Sequence, residues 1–582
     1  MSDDTPEVIA STWLSAFRKA VEDSDPLGVA ATFLPHGWLR DVLTFTWNTR
    51  SIKGPADIAS YLSASDTFVN AGFSQIKFSS DPYLRPSFSP GASGLQRGVE
   101  AGFDFEMPHA LGRGYCRLGK DASGAWKALT VCTMLWDLKG YEELVGPRVD
   151  WEAEDHSWIE EERNRQQMVE TNPYVLIIGG GHIGLTVAAR FNQMDISALV
   201  IDQHPRIGDS WRRRYQSLRF HNPNHHHQML YQPFPSNWPT YTPRDMMADW
   251  LESYAIHQCI VHWVSSGVEG KPVYDLDRKA WTVTVNRAGQ EVQLRPAHIV
   301  VATGSLGAPY VPTLHNRGAF PGTAIHATEY VKPAPFQGQH VVVVGAANTA
   351  VDICEDLARG GAASVTMVQR GATCVVSRES IRRTVMQLWP LHVPIGTSDF
   401  KAASMPLGLI REMNIENQER QWEDEAELHA KLRKAGVKLW LGSEGQGQLI
   451  VAADNLFTGY DHGAADLMAS GRIRVKQGAE PTAYSSTGLI MSDGTTLTAD
   501  TVIFATGYTT MRDTAKAIFG EDLVNQTVDC MGLDNEYELL GHYRPSGHPG
   551  LWYAPGQFSL ARFMSKQLAI QIKAIQIGIL KQ

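Results

Sequence analysis

Tyr174-Val-Leu-Ile-Ile178 runs directly into Gly179-Gly-Gly-His-Ile-Gly184. The apolar run reads as a parallel strand buried on both faces. In Gly179-x-Gly181-x-x-Gly184 the first glycine makes the tight turn and the second lets a pyrophosphate approach the backbone. The third lets helix and strand pack closely, with the helix N-terminus facing the phosphates. A second apolar run, Ala198-Leu-Val-Ile201, ends in Asp202, 18 residues after Gly184. That is near the spacing of about 20 expected for a carboxylate that binds ribose hydroxyls. Strand, glycines, helix, strand and acid in this order predict a dinucleotide site built on Gly179, Gly181, Gly184, Asp202 and the adjacent Gln203.

The pattern recurs. Val341-Val-Val-Val344 runs into Gly345-Ala-Ala-Asn-Thr-Ala350, so two Rossmann-like units are expected in one chain. Ala347 and Ala350 stand where the second and third glycines would be, and small side chains still allow approach, less closely. The next strand, Ser364 to Gln369, ends in Arg370 rather than an acid. An arginine there neutralises a ribose 2′-phosphate, which favours NADPH. The second site is therefore expected on Gly345, Ala347, Asn348, Thr349 and Arg370. Asp202, an acid where the second unit has an arginine, suits FAD in the first.

Around this pair the 582 residues divide by pattern. Residues 1–150 read as a small α+β domain, helices first and alternating runs later, as in Trp126 to Trp136. A polar helical linker spans 151–171. The FAD-binding domain follows in two parts, 172–336 and 481–582, with an NADPH-binding domain and its helical insert at 337–480. The fold class is thus α/β, the second Rossmann-like domain inserted in the first. The end of the chain, Gln567 to Leu580, reads as an amphipathic helix packed on the body.

Composition narrows the function. Lys+Arg 52 against Asp+Glu 62 gives a net charge of −10, and such a chain has no general electrostatic claim on nucleic acid or anionic lipid. The six cysteines are scattered with no Cys-x-x-Cys pair, which opposes a dithiol redox enzyme, a zinc ribbon and a secreted disulfide scaffold. No apolar run reaches about 18 residues, and Met1-Ser2-Asp3-Asp4 carries no leader-like pattern. A cytoplasmic enzyme without membrane or nucleic-acid partners is expected. His225-His226-His227 does not read as a metal site, because consecutive residues do not converge easily on one ion.

Further motifs carry a family resemblance. Phe320-Pro-Gly322-Thr-Ala-Ile-His326-Ala-Thr-Glu-Tyr330 lies between the two glycine turns. Gly208-Asp-Ser-Trp211 follows Asp202, and Ala302-Thr-Gly304 and Ala505-Thr-Gly507-Tyr508 end two strand-like runs. Together they resemble the class B flavin-dependent monooxygenases, over about residues 172–582. Leu218-Arg-Phe-His221-Asn-Pro223 and the stretch from Arg370 to Arg378-Glu379 resemble the YUCCA-like branch, beside the flavin-containing monooxygenases. Residues 1–150, with Trp38-Leu-Arg40-Asp41, resemble the SnoaL-like cone fold. Asp41 and His36 are its chemically interesting residues, although packing or dimerisation is the stronger reading, and the domain is a candidate homodimer interface.

The resemblance implies FAD and NADPH as cofactors, O2 and a small organic molecule as substrates, and oxygen insertion through a flavin C4a-(hydro)peroxide. N- or S-oxygenation and oxidative decarboxylation of a 2-oxo acid are all open. A peroxide-producing NADPH oxidase and Baeyer–Villiger oxygenation of a ketone are the alternatives. It also implies roles for Gly208, Trp211, His326, Thr506 and Gly507 in cofactor binding. His221 or Asn222 would touch the flavin as the catalytic hydrogen-bonding residue. The N-terminus of the last helix would face the flavin, with Arg562 near it.

Overall fold

The computed structural model describes residues 5–64, 67–89, 98–144, 146, 157–453 and 458–581. Both apolar runs that precede glycine turns are strands of parallel sheets. In the first sheet the order is His262–Trp263, Ala198–Ile201, Val175–Ile178, His298–Val301, Leu551–Tyr553, every pair parallel. All four residues of Val175–Ile178 and of Ala198–Ile201 are buried, as a sheet covered on both faces requires. The second sheet runs Thr323–His326, Thr501–Phe504, His340–Val344, Ser364–Gln369, Ile473–Gln477, again all parallel.

The chain leaves the first sheet after Val301 and returns to it at Leu551, so the second unit is inserted in the first. The two crossings run side by side: Leu306–Pro309 pairs antiparallel with Tyr508–Thr510. Two antiparallel three-stranded sheets, Ser266–Asp275 with Ala280–Arg287 and Gln290–Leu294, and Pro481–Ser485 with Gly488–Met491 and Thr496–Thr498, complete the α/β body. The insert is helical, with Arg378–Leu388, Ile395–Ala403 and Leu407–Glu416 in succession.

The N-terminal region opens with the helices Pro6–Glu22 and Pro26–Ala31, followed by a seven-stranded mixed sheet. The linker expected at 151–171 lies outside the described residues up to 156; beyond that, Trp158–Thr171 is a helix. The N-terminal unit does not stand apart. One continuous core joins its Val42, Tyr115, Met134 and Leu138 to Val175, Phe191 and Val200 of the first nucleotide-binding unit. The seam also holds buried charge. Arg40 donates from Nε and Nη2 to the two oxygens of Glu538 at 2.7 and 2.8 Å. Lys566 reaches Asp137 and Glu143, both at 2.7 Å.

Lys566 sits on the last helix, Phe558–Gln576, which departs from its amphipathic reading: it is buried from Ala561 through Ala574. The polar residues that suggested an exposed face find partners instead. Gln571 donates to the Tyr543 and Gln567 carbonyls, and Lys573 to that of Asp195. Among the described residues no helix is long and apolar enough to cross a membrane.

Candidate active site

The two glycine turns have the same geometry and different tolerances. Gly179 has φ +114°, and a Cβ there would lie 2.4 Å from the Ala302 carbonyl oxygen. Gly345 matches it, with φ +136° and a Cβ position 2.3 Å from the Ala505 oxygen. At Gly184 a Cβ would fall 1.9 Å from the Gly179 oxygen, so helix and strand leave no room for a methyl group. The second turn accommodates Ala350 at the corresponding place, fully buried. A Cβ on Gly181 would meet nothing within 4 Å. The backbone is therefore open on the side where a pyrophosphate would lie.

Asp202 closes the first turn from the neighbouring strand. Its Oδ2 accepts from Gly180 N at 2.7 Å, and its Oδ1 from His204 N at 2.8 Å. Burial works against its charge, but these bonds and the His204 ring hold its carboxyl below the usual range. Gln203 is exposed beside it. Gly208, at φ +87°, approaches the helix Arg244–His257, where a Cβ would meet the Ala248 oxygen at 2.4 Å.

One cavity of about 2450 Å³ joins the remaining candidates. Trp211, His221, Asn222 and His326 line it, as do Gly345, Ala347, Asn348, Thr349 and Arg370, and Thr506 and Gly507 of the second crossing. Gly179, Gly181, Gly184, Asp202, Gln203 and Gly208 lie outside its lining. From the insert it receives Trp389, Met405 and Met413.

His326 is buried and organises the crossing. Its Nδ1 accepts from Thr328 N at 3.2 Å, which leaves the proton on Nε2, 3.1 Å from the Gly507 carbonyl oxygen. Arg370 ends its strand with a side chain 82% exposed, 3.5 Å from Glu480. Asn222 has a buried Oδ1 without a partner, and Thr303 Oγ1 of the first crossing is in the same condition. Orphaned polar atoms here, with the open face of Gly181, fit a polar cofactor.

His221, on the cavity lining, also reaches the second unit. Its Nε2 lies 3.3 Å from Asp352 Oδ2, on the helix Asn348–Arg359 of the second unit. Asp352 also accepts from Tyr215 Oη at 2.6 Å and meets His462 Nε2 at 2.8 Å; the far nitrogen of His462 lies 3.0 Å from Glu355. Sequence reasoning missed Asp352 and His462. Asp352 sits among the apolar residues of its helix, and a buried acid at such a position is the one local signal of a partner elsewhere.

Three further groups have well-defined surroundings. His226 and His227 are buried, and burial lowers both rings, His226 to about 3, so they remain neutral. Arg562 is buried and fully engaged. It is 3% exposed, and its Nε and Nη2 donate to Asp399 at 2.7 and 2.8 Å while Nη1 donates to the His226 and Gln228 carbonyls. Asp41 is fully buried and accepts from Thr44, Thr46 and Tyr61, an arrangement that pins a turn; His36 is exposed on the cavity wall.

Comparison with known proteins agrees with this architecture. A family model described as "Pyridine nucleotide-disulphide oxidoreductase" matches residues 176–388. The six cysteines are all free. Indole-3-pyruvate monooxygenase YUCCA1 of Oryza sativa subsp. japonica is 30% identical over 347 residues, 58% of this chain and 77% of that protein. The probable indole-3-pyruvate monooxygenase YUCCA1 of Arabidopsis thaliana is 28% identical over 342 residues, 57% and 75% of the two chains. An open crystal structure of cyclohexanone monooxygenase shares the fold, with a TM-score of 0.50 at 16% identity over 70% of this chain and 88% of that one.

The chain belongs to the class B flavin-dependent monooxygenases. Within that class its relatives are the YUCCA-like enzymes. It is an oxidoreductase that uses FAD and NADPH to insert one oxygen atom from O2 into a small organic substrate.

Proposed function

We propose that this monooxygenase acts on a 2-oxo acid with an apolar side chain and oxidises it with loss of carbon dioxide. The relatives are indole-3-pyruvate monooxygenases, which motivates the reaction. The observation that carries it is one continuous cavity running from the second glycine turn to a wall that includes Trp389, Met405 and Met413. In balance, the 2-oxo acid, O2, NADPH and a proton give the carboxylic acid one carbon shorter, CO2, NADP⁺ and water.

In this reading Gly179, Gly181 and Gly184 hold the FAD pyrophosphate, Asp202 and Gln203 its ribose, and Gly208 and Trp211 the adjoining stretch. Gly345, Ala347, Asn348 and Thr349 hold NADPH, with Arg370 on its 2′-phosphate. Bound flavin supplies hydride acceptance and oxygen activation. The protein's own work is to orient, to exclude water and to present donors. Asn222 is the catalytic hydrogen-bonding candidate, since its buried amide oxygen lacks a partner at the cavity surface. His221, turned toward Asp352, holds the neighbouring backbone to the second unit. His326 fixes Thr506 and Gly507 through its bond to the Gly507 carbonyl.

The division into domains at 1–150, 151–171, 172–336, 337–480 and 481–582 is part of this proposal. So are a cytoplasmic location, supported by six free cysteines, and a dimer through the faces of the N-terminal unit not packed on its own chain. Incubation of the holoenzyme with NADPH, O2 and phenylpyruvate tests the reaction. Phenylacetate and CO2 in equal amounts are expected; NADPH consumed only into hydrogen peroxide, with no phenylacetate, defeats the reading.

A further inference from the structure

The N-terminal unit lies beyond the stretch that resembles the monooxygenase family, yet it contributes directly to the active-site cavity. Its strand Ala110–Lys120 places Arg117 and Leu118 on the lining, and Leu129 comes from the neighbouring strand Trp126–Leu138. The same cavity reaches Gly345 and Asn222. The seam that holds this wall is buried and charged, through Arg40–Glu538 and the pairs of Lys566. The wall is therefore fixed against the nucleotide-binding units.

The charges on the wall do not cancel. Arg40 is paired with Glu538, and Lys401 of the insert is paired with Glu100 at 2.7 Å. Arg117 has no carboxylate within ion-pair distance among the described residues. Its guanidinium is held by neutral acceptors: Nη1 donates to Ser404 Oγ at 2.9 Å and to Thr130 Oγ1 at 3.4 Å, and Nη2 to the Lys401 carbonyl at 2.7 Å. It also lies 4.8 Å from the centre of the Tyr115 ring. These contacts set its orientation and, among the described residues, leave Nε and one hydrogen of Nη2 without an acceptor. Lys401, Arg117 and Glu100 together carry one net positive charge, beside Leu118 and Leu129, and the oppositely charged Lys120 and Asp121 farther along the wall leave that sum unchanged. A half-buried arginine with open donors beside apolar side chains is suited to a carboxylate on an apolar body.

We propose that the N-terminal unit is the substrate-side wall of the active site and that Arg117 is a specificity-determining residue that binds a carboxylate of the substrate. The choice of carboxylate rests on the 2-oxo acid reading above. The wall itself does not.

The test uses full-length holoenzyme and reads dissociation constants from the change in flavin absorbance on adding phenylpyruvate or the neutral thioanisole. Arg117→Met should weaken phenylpyruvate about tenfold or more and leave thioanisole within about twofold, with Arg117→Lys recovering part of the loss. Leu129→Trp, which fills the cavity from the N-terminal side, should weaken both. The Arg117 assignment is overturned if wild type does not bind phenylpyruvate, or if Arg117→Met changes both ligands equally or neither. Unchanged binding of both ligands in Leu129→Trp overturns the wall. Products are analysed separately: phenylpyruvate that binds through Arg117 without yielding phenylacetate defeats the 2-oxo acid reaction and leaves the anchor standing.

Discussion

His462 Nε2 and Asp352 Oδ1 lie 2.8 Å apart, 110 residues distant in sequence. Bonds to Asp352 and Glu355 raise the His462 imidazole to about 9, against the cost of burial. Burial opposes the charge of Asp352, but the bonds from His221 and His462 hold its carboxyl well below the usual range. The cluster joins a helix of the second unit to the His221 segment of the first.

That pair makes stability depend on pH at both ends. His462 has a folded pKa raised above its ordinary 6.5, so its contribution is complete below about 6.5 and is lost as pH rises through about 9. Asp352 has a depressed folded pKa, so its contribution is present above the ordinary carboxylate range and is lost as pH falls through its lowered value. His462→Gln should lower the melting temperature at pH 6 by several degrees and much less at pH 9.5. Equal losses at the two pH values would show that packing, not charge, holds the cluster.

Gly181→Val and Gly184→Val should fail in different ways. The first points into open space, so the chain should fold and elute colourless, without FAD. The second drives a side chain into the Gly179 carbonyl oxygen, so the protein should be largely insoluble. Stoichiometric flavin in soluble Gly181→Val would place FAD elsewhere.

Removing Arg370 should affect NADPH selectively. Its side chain is mostly exposed and weakly engaged by Glu480, so Arg370→Ala should cost little stability. A lost charge-assisted phosphate contact is worth roughly 1.5–3 kcal/mol, read mainly as a higher KM for NADPH. Equal use of NADH and NADPH by wild type would make Arg370 a surface cation.

The Arg562–Asp399 pair, at 2% and 4% side-chain exposure, ties the last helix to the insert. Asp399→Asn leaves a buried guanidinium without its counter-charge and should destabilise by about 3–5 kcal/mol. Arg562→Met combined with Asp399→Leu should recover part of this loss. Thermal melts of the single and double variants decide it.

Residues 172–582 carry every motif of the monooxygenase resemblance, which by itself predicts a self-sufficient fragment. The shared core and the lost partners of Glu538 and Lys566 argue otherwise. The fragment should aggregate on expression. A soluble, yellow fragment would show that the seam is dispensable.

The two parallel sheets were legible because their signals are local. A continuous apolar run followed by Gly179-Gly-Gly or Gly345-Ala-Ala needs only its neighbours to be read, and the cofactor turns lie within single strand–turn–helix units. The last helix was misread for a related reason. Gln571 and Lys573 suggest a wet face, and only their bonds to the Tyr543 and Asp195 carbonyls show that the face is buried.

By itself, then, the sequence determined the nested α/β architecture, the two glycine turns and the monooxygenase class. Each turn and motif is written in residues close together along the chain, and the nesting in their order. The tertiary structure decided that His221 faces Asp352, that Arg562 is sealed against Asp399, and that the N-terminal unit lines the cavity beside Asn222. Each of these depends on side chains roughly a hundred residues or more apart: His221 and Asp352 are separated by 131 residues, Asp399 and Arg562 by 163. Burial leaves such charges no stable alternative to finding one another, and no spacing rule encodes the partner.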